Sequence, residues 1–291
     1  MISFSDFADT KKTILFDGAT GSNLLSEDNS AIFPDILSLK RPGIVLSLHE
    51  EYLEAGCDVI ETNSFNSNQL VFESFGSKKP ASECAKISAV LAKKAAEKFS
   101  TAEKPRFVAG SIGPVFNKNG SLQQDETLLF EAYFSQISAL LEGGTDLLIF
   151  ETMQDIIQLN SALTVAEKIN KNIPLIVSLS GKNGKTHIGT TFEEILREIS
   201  KYDLFALGLN CEDFEEIEKD AEIIKKISPF PLSLMPNLGL PEKIDGKFVY
   251  KTTPAEFSQK MSELIQKFDP KIIGGCCGAT PEHLKALAER M

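Results

Sequence analysis

The stretch Lys271-Ile-Ile-Gly-Gly-Cys-Cys-Gly278 is a short apolar run that ends in two glycines, a cysteine pair and a third glycine. Ala279-Thr-Pro-Glu-His283 follows, with Thr280 placed as an N-cap and Pro281 at the first helical position. The unit reads as strand, tight turn, helix, and it puts Cys276 and Cys277 at the C-terminal end of the strand. Two soft thiol ligands held there point to a metal, which needs at least one further ligand. A regular strand would send adjacent side chains to opposite faces, whereas a sharp turn can aim both sulfurs at one ion.

Working outward, the same unit recurs along the chain. Apolar runs at 13–17, 58–63, 106–112, 146–150, 174–179, 204–209, 231–235 and 271–275 predict strands. Amphipathic stretches at 44–55, 82–99, 125–142, 158–171, 192–200, 215–227, 254–267 and 282–290 predict helices. Continuous apolar strands flanked by Gly or Pro are typical of parallel sheets covered on both faces. Eight such units in 291 residues, with no low-complexity linker, predict one α/β domain over 1–291, a single (β/α)8 TIM barrel. A doubly wound open sheet is the alternative, and the even spacing of eight units favours closure. Two longer connections, 21–41 and 237–253, fall on the C-terminal face, where barrel enzymes keep their chemistry.

A net charge of −11 argues against nucleic-acid and anionic-membrane partners. The first twelve residues lack the basic and apolar regions of a signal peptide, and no apolar run reaches the ~18 residues of a membrane span. Five cysteines without a secretion signal fit free or metal-bound thiols in a reducing compartment, so a cytoplasmic location is expected.

In a barrel the strand ends converge on one mouth. Here they carry Asp17, Glu61, Asn63, Ser111, Glu151, Ser178, Asn210, Cys211, Asn237, Cys276 and Cys277. Cys211 is therefore the expected third metal ligand. Three thiolates with an open fourth position is a catalytic arrangement for zinc. The competing readings are three small buried residues, or a vicinal disulfide at 276–277. Cys57 and Cys84 read as packing residues, and His187 is not assigned to the metal. Phe65, Phe116 and Phe192 are candidates for an apolar rim, with packing as the competing role.

The motifs Phe16-Asp-Gly-Ala-Thr-Gly21, Glu61-Thr-Asn-Ser-Phe-Asn66, Gly110-Ser-Ile-Gly-Pro114, Phe150-Glu-Thr152, Gly208-Leu-Asn-Cys211, Pro236-Asn-Leu-Gly-Leu-Pro241 and Gly274-Gly-Cys-Cys-Gly278 resemble those of the homocysteine S-methyltransferases. Within that family they are most similar to the homocysteine-binding module of cobalamin-dependent methionine synthase. The resemblance runs in order from about Leu15 to the C-terminus. It implies a zinc ion (Zn2+) on Cys211, Cys276 and Cys277, the fourth position taken by the homocysteine sulfur, or by Asn237 when substrate is absent. It also implies that Asp17, Gly18 and Glu151 hold the amino-acid end of homocysteine. Asn63 and Asn210 are expected to orient substrate or to support the ligands. Thr20 and Ser22 depart from the residues common in the family, which bears on the first turn.

The implied chemistry is consistent. A thiolate attacks where a thiol does not, and zinc binds the thiolate while displacing its proton. The implied activity is transfer of a methyl group to homocysteine, forming methionine. The donor implied is methylcobalamin on a separate methyl-corrinoid protein or domain, since the chain spans little beyond the barrel. S-methylmethionine is the alternative donor, and a non-catalytic zinc- and thiol-binding module is the alternative from another class. A barrel aldolase would want a strand-end Lys for a Schiff base, and none is evident.

Overall fold

In a computed structural model, residues 2–28, 31, 33–239, 241–244 and 247–291 are described. Leu240 of the Pro236–Pro241 motif and parts of both long connections lie outside them. Eight parallel strands form the sheet: β1 Ile14–Leu15, β2 Val59–Glu61, β3 Phe107–Ile112, β4 Leu147–Met153, β5 Leu175–Leu179, β6 Ala206–Asn210, β7 Leu232–Met235 and β8 Ile272–Ile273. Each is followed by a helix of the outer layer: α1 Pro42–Ala55, α2 Ala81–Phe99, α3 Glu126–Glu142, α4 Ile156–Ile169, α5 Phe192–Ile199, α6 Phe214–Ile227, α7 Pro254–Phe268 and α8 Pro281–Ala288. The strand order is β1-β8-β7-β6-β5-β4-β3-β2. A parallel bridge between Phe16 and Val59 joins its two ends, so the sheet is a barrel. The expected fold class is the observed one.

Alternation along the strands divides the core in two. Ile14, Phe16, Val59, Phe107, Ala109, Leu147, Ile149, Ile176, Ala206, Met235 and Ile272 form one buried cluster inside the barrel. Their neighbours Leu15, Ile60, Val108, Leu148, Phe150, Val177, Leu207 and Ile273 pack outward against the helices. The interior is sealed at its N-terminal end by a helix not foreseen from the sequence, Phe4–Thr10. Its Phe4 meets Phe107 edge-on with ring centroids 5.5 Å apart, and Phe7 lies 5.0 Å from the same ring.

The seam between β1 and β2 explains why β1 is shorter than the expected 13–17. Asp58 N–H donates to Leu15 O (2.8 Å), but Leu15 N–H donates to the Asp58 side chain (Oδ2, 3.1 Å) instead of to a strand carbonyl. Asp58 is itself held by the buried Arg106 guanidinium, Nη1 to Oδ1 3.6 Å, which also donates to the Cys57 carbonyl (2.7 Å). The other element ends differ from expectation by a few residues. Helix Gln69–Ser74 and two short hairpins, Gly181–Lys182 with Lys185–Thr186 and Glu242–Ile244 with Lys247–Val249, are additions on the connections. Asp125, Asp155, Thr191, Asp213 and Thr253 cap α3 to α7 through their side chains. No helix among the described residues is long and apolar enough to cross a membrane.

The seam yields a stability test. Asp58→Ala removes the acceptor of Leu15 N–H and leaves the Arg106 charge buried with carbonyl partners only. We expect urea unfolding to report a loss of about 3 kcal/mol. A loss under about 1 kcal/mol would show that the seam does not depend on this carboxylate.

Candidate metal centre and substrate pocket

The Gly-Gly-Cys-Cys-Gly turn is tied down residue by residue. Gly275 N–H donates to Asp17 O (3.0 Å), Cys276 N–H to Pro236 O (2.8 Å) and Cys277 N–H to Asn237 Oδ1 (2.9 Å). Gly278 N–H donates to Ser22 Oγ (3.1 Å). Gly278 sits at φ +86°, and a Cβ there would lie 2.4 Å from the Tyr250 ring, so both conformation and space require glycine. Across the mouth, Cys211 directly follows β6 at φ 59°, in the left-handed region that non-glycine residues seldom occupy. That conformation turns its sulfur toward the pair.

The three sulfurs meet. Cys211 Sγ lies 2.7 Å from Cys276 Sγ, and all three Sγ atoms are within 4.8 Å of one another. Three cysteine sulfurs are a donor set zinc takes; on a tetrahedral ion with bonds near 2.3 Å they stand ~3.8 Å apart, so the set fits once the Cys211–Cys276 pair opens by about 1 Å. The cysteines are free, which removes the vicinal disulfide as a reading. Hydrogen bonds from Cys211 and Cys276 lower the Cys277 thiol to about 3, and giving them raises Cys276 well above the usual thiol range. The cluster thus favours a thiolate even before a cation arrives.

Asn210 connects the sulfurs to the acidic side of the mouth. Its Oδ1 accepts from Thr152 N–H (2.9 Å) and Ser178 Oγ (2.8 Å). Its Nδ2 donates to Thr152 Oγ1 (2.8 Å) and lies 3.4 Å from Glu151 Oε2 and 4.0 Å from Cys276 Sγ. Thr152 reaches Cys211 Sγ through its hydroxyl (3.7 Å). It does so from φ 58°, a strained conformation for a β-branched residue, costing on the order of 1–3 kcal/mol. Ser111 Oγ donates to Glu151 Oε1. Burial raises the Glu151 carboxyl, and burial followed by the charge of Glu151 raises Glu61. Asp17 is also raised by burial, its Oδ2 accepting from Glu61 N–H (3.0 Å).

These groups surround an open cavity at the C-terminal mouth. Its wall includes Gly18, Asn63, Glu61, Glu151, Asn210 and the three cysteines and, among the described residues, no Lys, Arg or His. Thr20, Gly21 and Ser22 line it as the first turn of helix Thr20–Glu27, whose N-cap Ala19 offers no side-chain bond. Their N–H groups suit an anion. Two expected residues stand differently. Asp17 is 2% exposed and does not reach the wall, and Asn237 lies behind the turn with its Oδ1 engaged by Cys277 N–H. Asn63 is on the wall, but its amide nitrogen holds the 21–41 connection through Pro34 O (2.8 Å) and Ser38 Oγ (3.0 Å).

Asp35 is a pocket residue that sequence reading missed, because it sits in that irregular connection with no strand end to mark it. Its Oδ1 accepts from Asn66 N–H (2.8 Å) and Ser67 Oγ (2.9 Å), while burial pushes its carboxyl up to about 6. Of the candidate rim aromatics, Phe65 lines the pocket, Phe116 packs on Phe75 and Phe192 is fully buried. Cys57 and Cys84 are buried core residues, as expected. His187 stays with Ser180 (3.4 Å), and His283 accepts from Thr280 N–H at Nδ1, so its Nε2–H donates to Thr252 O (2.9 Å).

The sequence profile of the homocysteine S-methyltransferases matches residues 14–291. Among solved structures, the metallated form of the homocysteine methyltransferase MmuM from Escherichia coli superposes with a TM-score of 0.81 at 21% identity. That alignment covers 98% of this chain and 99% of the other. The oxidised form gives 0.80 at 22%, covering 97% of each chain. The N-acetylneuraminate lyase from Mycoplasma synoviae shares the barrel more distantly, with a TM-score of 0.51 at 10% identity over 96% of this chain and 72% of the other.

The site makes two expectations. Cys211→Ala, Cys276→Ala and Cys277→Ala should each cut zinc in the purified protein from about one equivalent to under about a tenth, with the far-UV circular dichroism unchanged. Full zinc retention in any of the three would count against the cluster. Asp35 binds its proton more tightly folded than unfolded, so its contribution is present below the ordinary carboxyl value of 3.8 and is lost as pH rises through about 6. Wild type should therefore lose about 2–3 kcal/mol relative to Asp35→Asn between pH 3 and 7, read by urea unfolding. Parallel curves would contradict it.

Proposed function

The chain belongs to the homocysteine S-methyltransferase family, and on that premise we propose that it transfers a methyl group to the sulfur of homocysteine with zinc held by Cys211, Cys276 and Cys277. One observation carries the reading. The Asn210 amide nitrogen is 3.4 Å from Glu151 and 4.0 Å from Cys276 Sγ, so a carboxylate and the sulfur cluster stand about one short side chain apart. An amino acid with a γ-thiol spans that gap, its ammonium on the acidic side and its sulfur at the cysteines. The metallated form of the related E. coli homocysteine methyltransferase supports the metal.

When bound, zinc supplies a Lewis acid that favours the thiolate over the thiol. The chain's own groups do the rest. Glu151, fixed by Ser111 and Asn210, offers negative charge to the substrate ammonium. The N–H groups at Thr20–Ser22, with Gly18 beside them, receive the carboxylate. Gly18 has no room for a side chain, since a Cβ would meet Ala279 O at 2.7 Å. Thr152 and Asn210 direct polar hydrogens at Cys211 and Cys276 and limit the charge left on those sulfurs. Asp17 holds the Glu61 backbone and the Gly275 turn together. Asn237 orients Cys277, and it takes the fourth position in the absence of substrate only if its Oδ1 leaves Cys277 N–H.

The donor approaches through the open mouth. A methyl-corrinoid on a separate protein or domain is the first reading. The second, S-methylmethionine, is favoured by the wall itself: three carboxyls and, among the described residues, no cation suit a sulfonium, whose positive charge disappears on transfer.

Zinc-loaded protein with homocysteine and either methylcobalamin or S-methylmethionine, assayed for methionine, tests both. Methionine should form with one donor and be reduced at least ~10³-fold in Cys211→Ala. Homocysteine binding without turnover on either donor would contradict methyl transfer from these two donors.

A further inference from the structure

With zinc on the cysteine trio as the premise, we propose that His283 is a positioning residue for the metal centre: it pins the 237–253 connection onto the cysteine turn, which keeps the Cys277 sulfur at the ion. The hydrogen bonds form a closed ring. Cys277 N–H donates to Asn237 Oδ1 (2.9 Å), and Cys277 O accepts from Leu238 N–H (3.0 Å). Leu238 O accepts from the Thr252 hydroxyl (2.9 Å), which ties the two arms of the connection together. Thr252 O accepts from His283 Nε2 (2.9 Å), and His283 lies in α8, the helix that leaves the cysteine turn. The ring starts at Cys277, crosses the connection and returns to the same turn-and-helix unit.

Both nitrogens of the imidazole are committed. Nδ1 accepts from Thr280 N–H (3.3 Å), so the ring proton stands on Nε2 and faces Thr252 O. The side chain is 7% exposed and meets Phe257 edge-on, with ring centroids 5.7 Å apart. A donor held this way cannot rotate toward water without giving up the Thr280 bond.

The same arm touches the turn directly. The Tyr250 ring lies on Gly278, where a Cβ would meet three ring atoms at 2.4 to 2.6 Å. Gly278 follows Cys277, so lifting this arm uncovers the turn beside a ligand. Cys211 is placed otherwise: it follows β6, with the Thr152 hydroxyl 3.7 Å from its sulfur. Cys277 stands beyond β8, a strand of 2 residues, and takes its backbone bonds from the connection. A ligand carried on so short a strand is oriented by the groups around it.

The test is zinc release. Zinc-loaded protein is mixed with excess EDTA and the rate of metal loss is followed. His283 also caps its own helix, and two variants separate the roles. Asn carries its amide near the Nδ1 position, so His283→Asn keeps an acceptor for Thr280 N–H and loses the reach to Thr252 O. Gln carries its amide nitrogen near the Nε2 position, so His283→Gln keeps the bond to Thr252 O and loses the cap. His283→Asn should release zinc at least about tenfold faster than wild type, and His283→Gln within about threefold of it. Thr252→Val removes the hydroxyl bonded to Leu238 O; it should also speed release about tenfold, and it decides the matter if His283→Asn fails to fold. Release from His283→Gln as fast as from His283→Asn would mark His283 as a helix cap alone. That result, or a wild-type rate in His283→Asn or Thr252→Val, would overturn the assignment. Wild-type protein that takes up no zinc would overturn the metal premise itself, before any variant is made.

Discussion

A strand sends alternate side chains to opposite faces, and closing the sheet leaves one of those faces with nowhere to go but the barrel axis. That constraint organises this molecule. Below, the inward positions are apolar and fill the barrel against Phe4 and Phe7. Two residues further along the same strands the inward positions become Glu61, Ser111, Glu151 and Ser178, and on β6 the inward line leads to Asn210. The mouth is a continuation of the core in which hydrocarbon gives way to hydrogen-bonding groups. Its carboxyls sit on an apolar floor, which is why burial leads the causes of every upward shift among them.

The sulfur cluster follows a different rule. Cys211, Cys276 and Cys277 stand past the regular strands, where the backbone must leave the pleat to bring three sulfurs together. Cys211 and Thr152 both do so in the left-handed region, and Gly278 does so on the facing turn. Strain of this kind persists only where surrounding contacts over-determine it. Here they do: Asn210 bonds both the backbone and the hydroxyl of Thr152, and the cysteine turn is fixed through Pro236, Asn237 and Ser22. The sulfurs are therefore held close before a metal arrives, at the electrostatic cost of a shared thiolate.

Strands and outer helices were legible in the sequence because each depends on local pattern: apolar runs and 3.6-residue periodicity. The meeting of Cys211, Cys276 and Cys277 was legible because strand ends of a barrel must meet, whatever their separation along the chain. Asp35 was not, since an irregular connection has no period from which to read a direction. Asp17 was legible in part. Its place at a strand end is visible in the sequence, but its exposure depends on whether Glu61 N–H captures its oxygen.

The sequence by itself determined the eight strand–helix units, which favour a closed barrel, and placed three cysteines at strand ends, because these follow from periodicity and chain order. Only the tertiary structure decided which acids line the cavity, and that Asn237 and Asn63 are engaged by backbone and by the 21–41 connection. Those outcomes depend on competition for individual hydrogen bonds between segments far apart in the chain. No local pattern encodes the result of that competition.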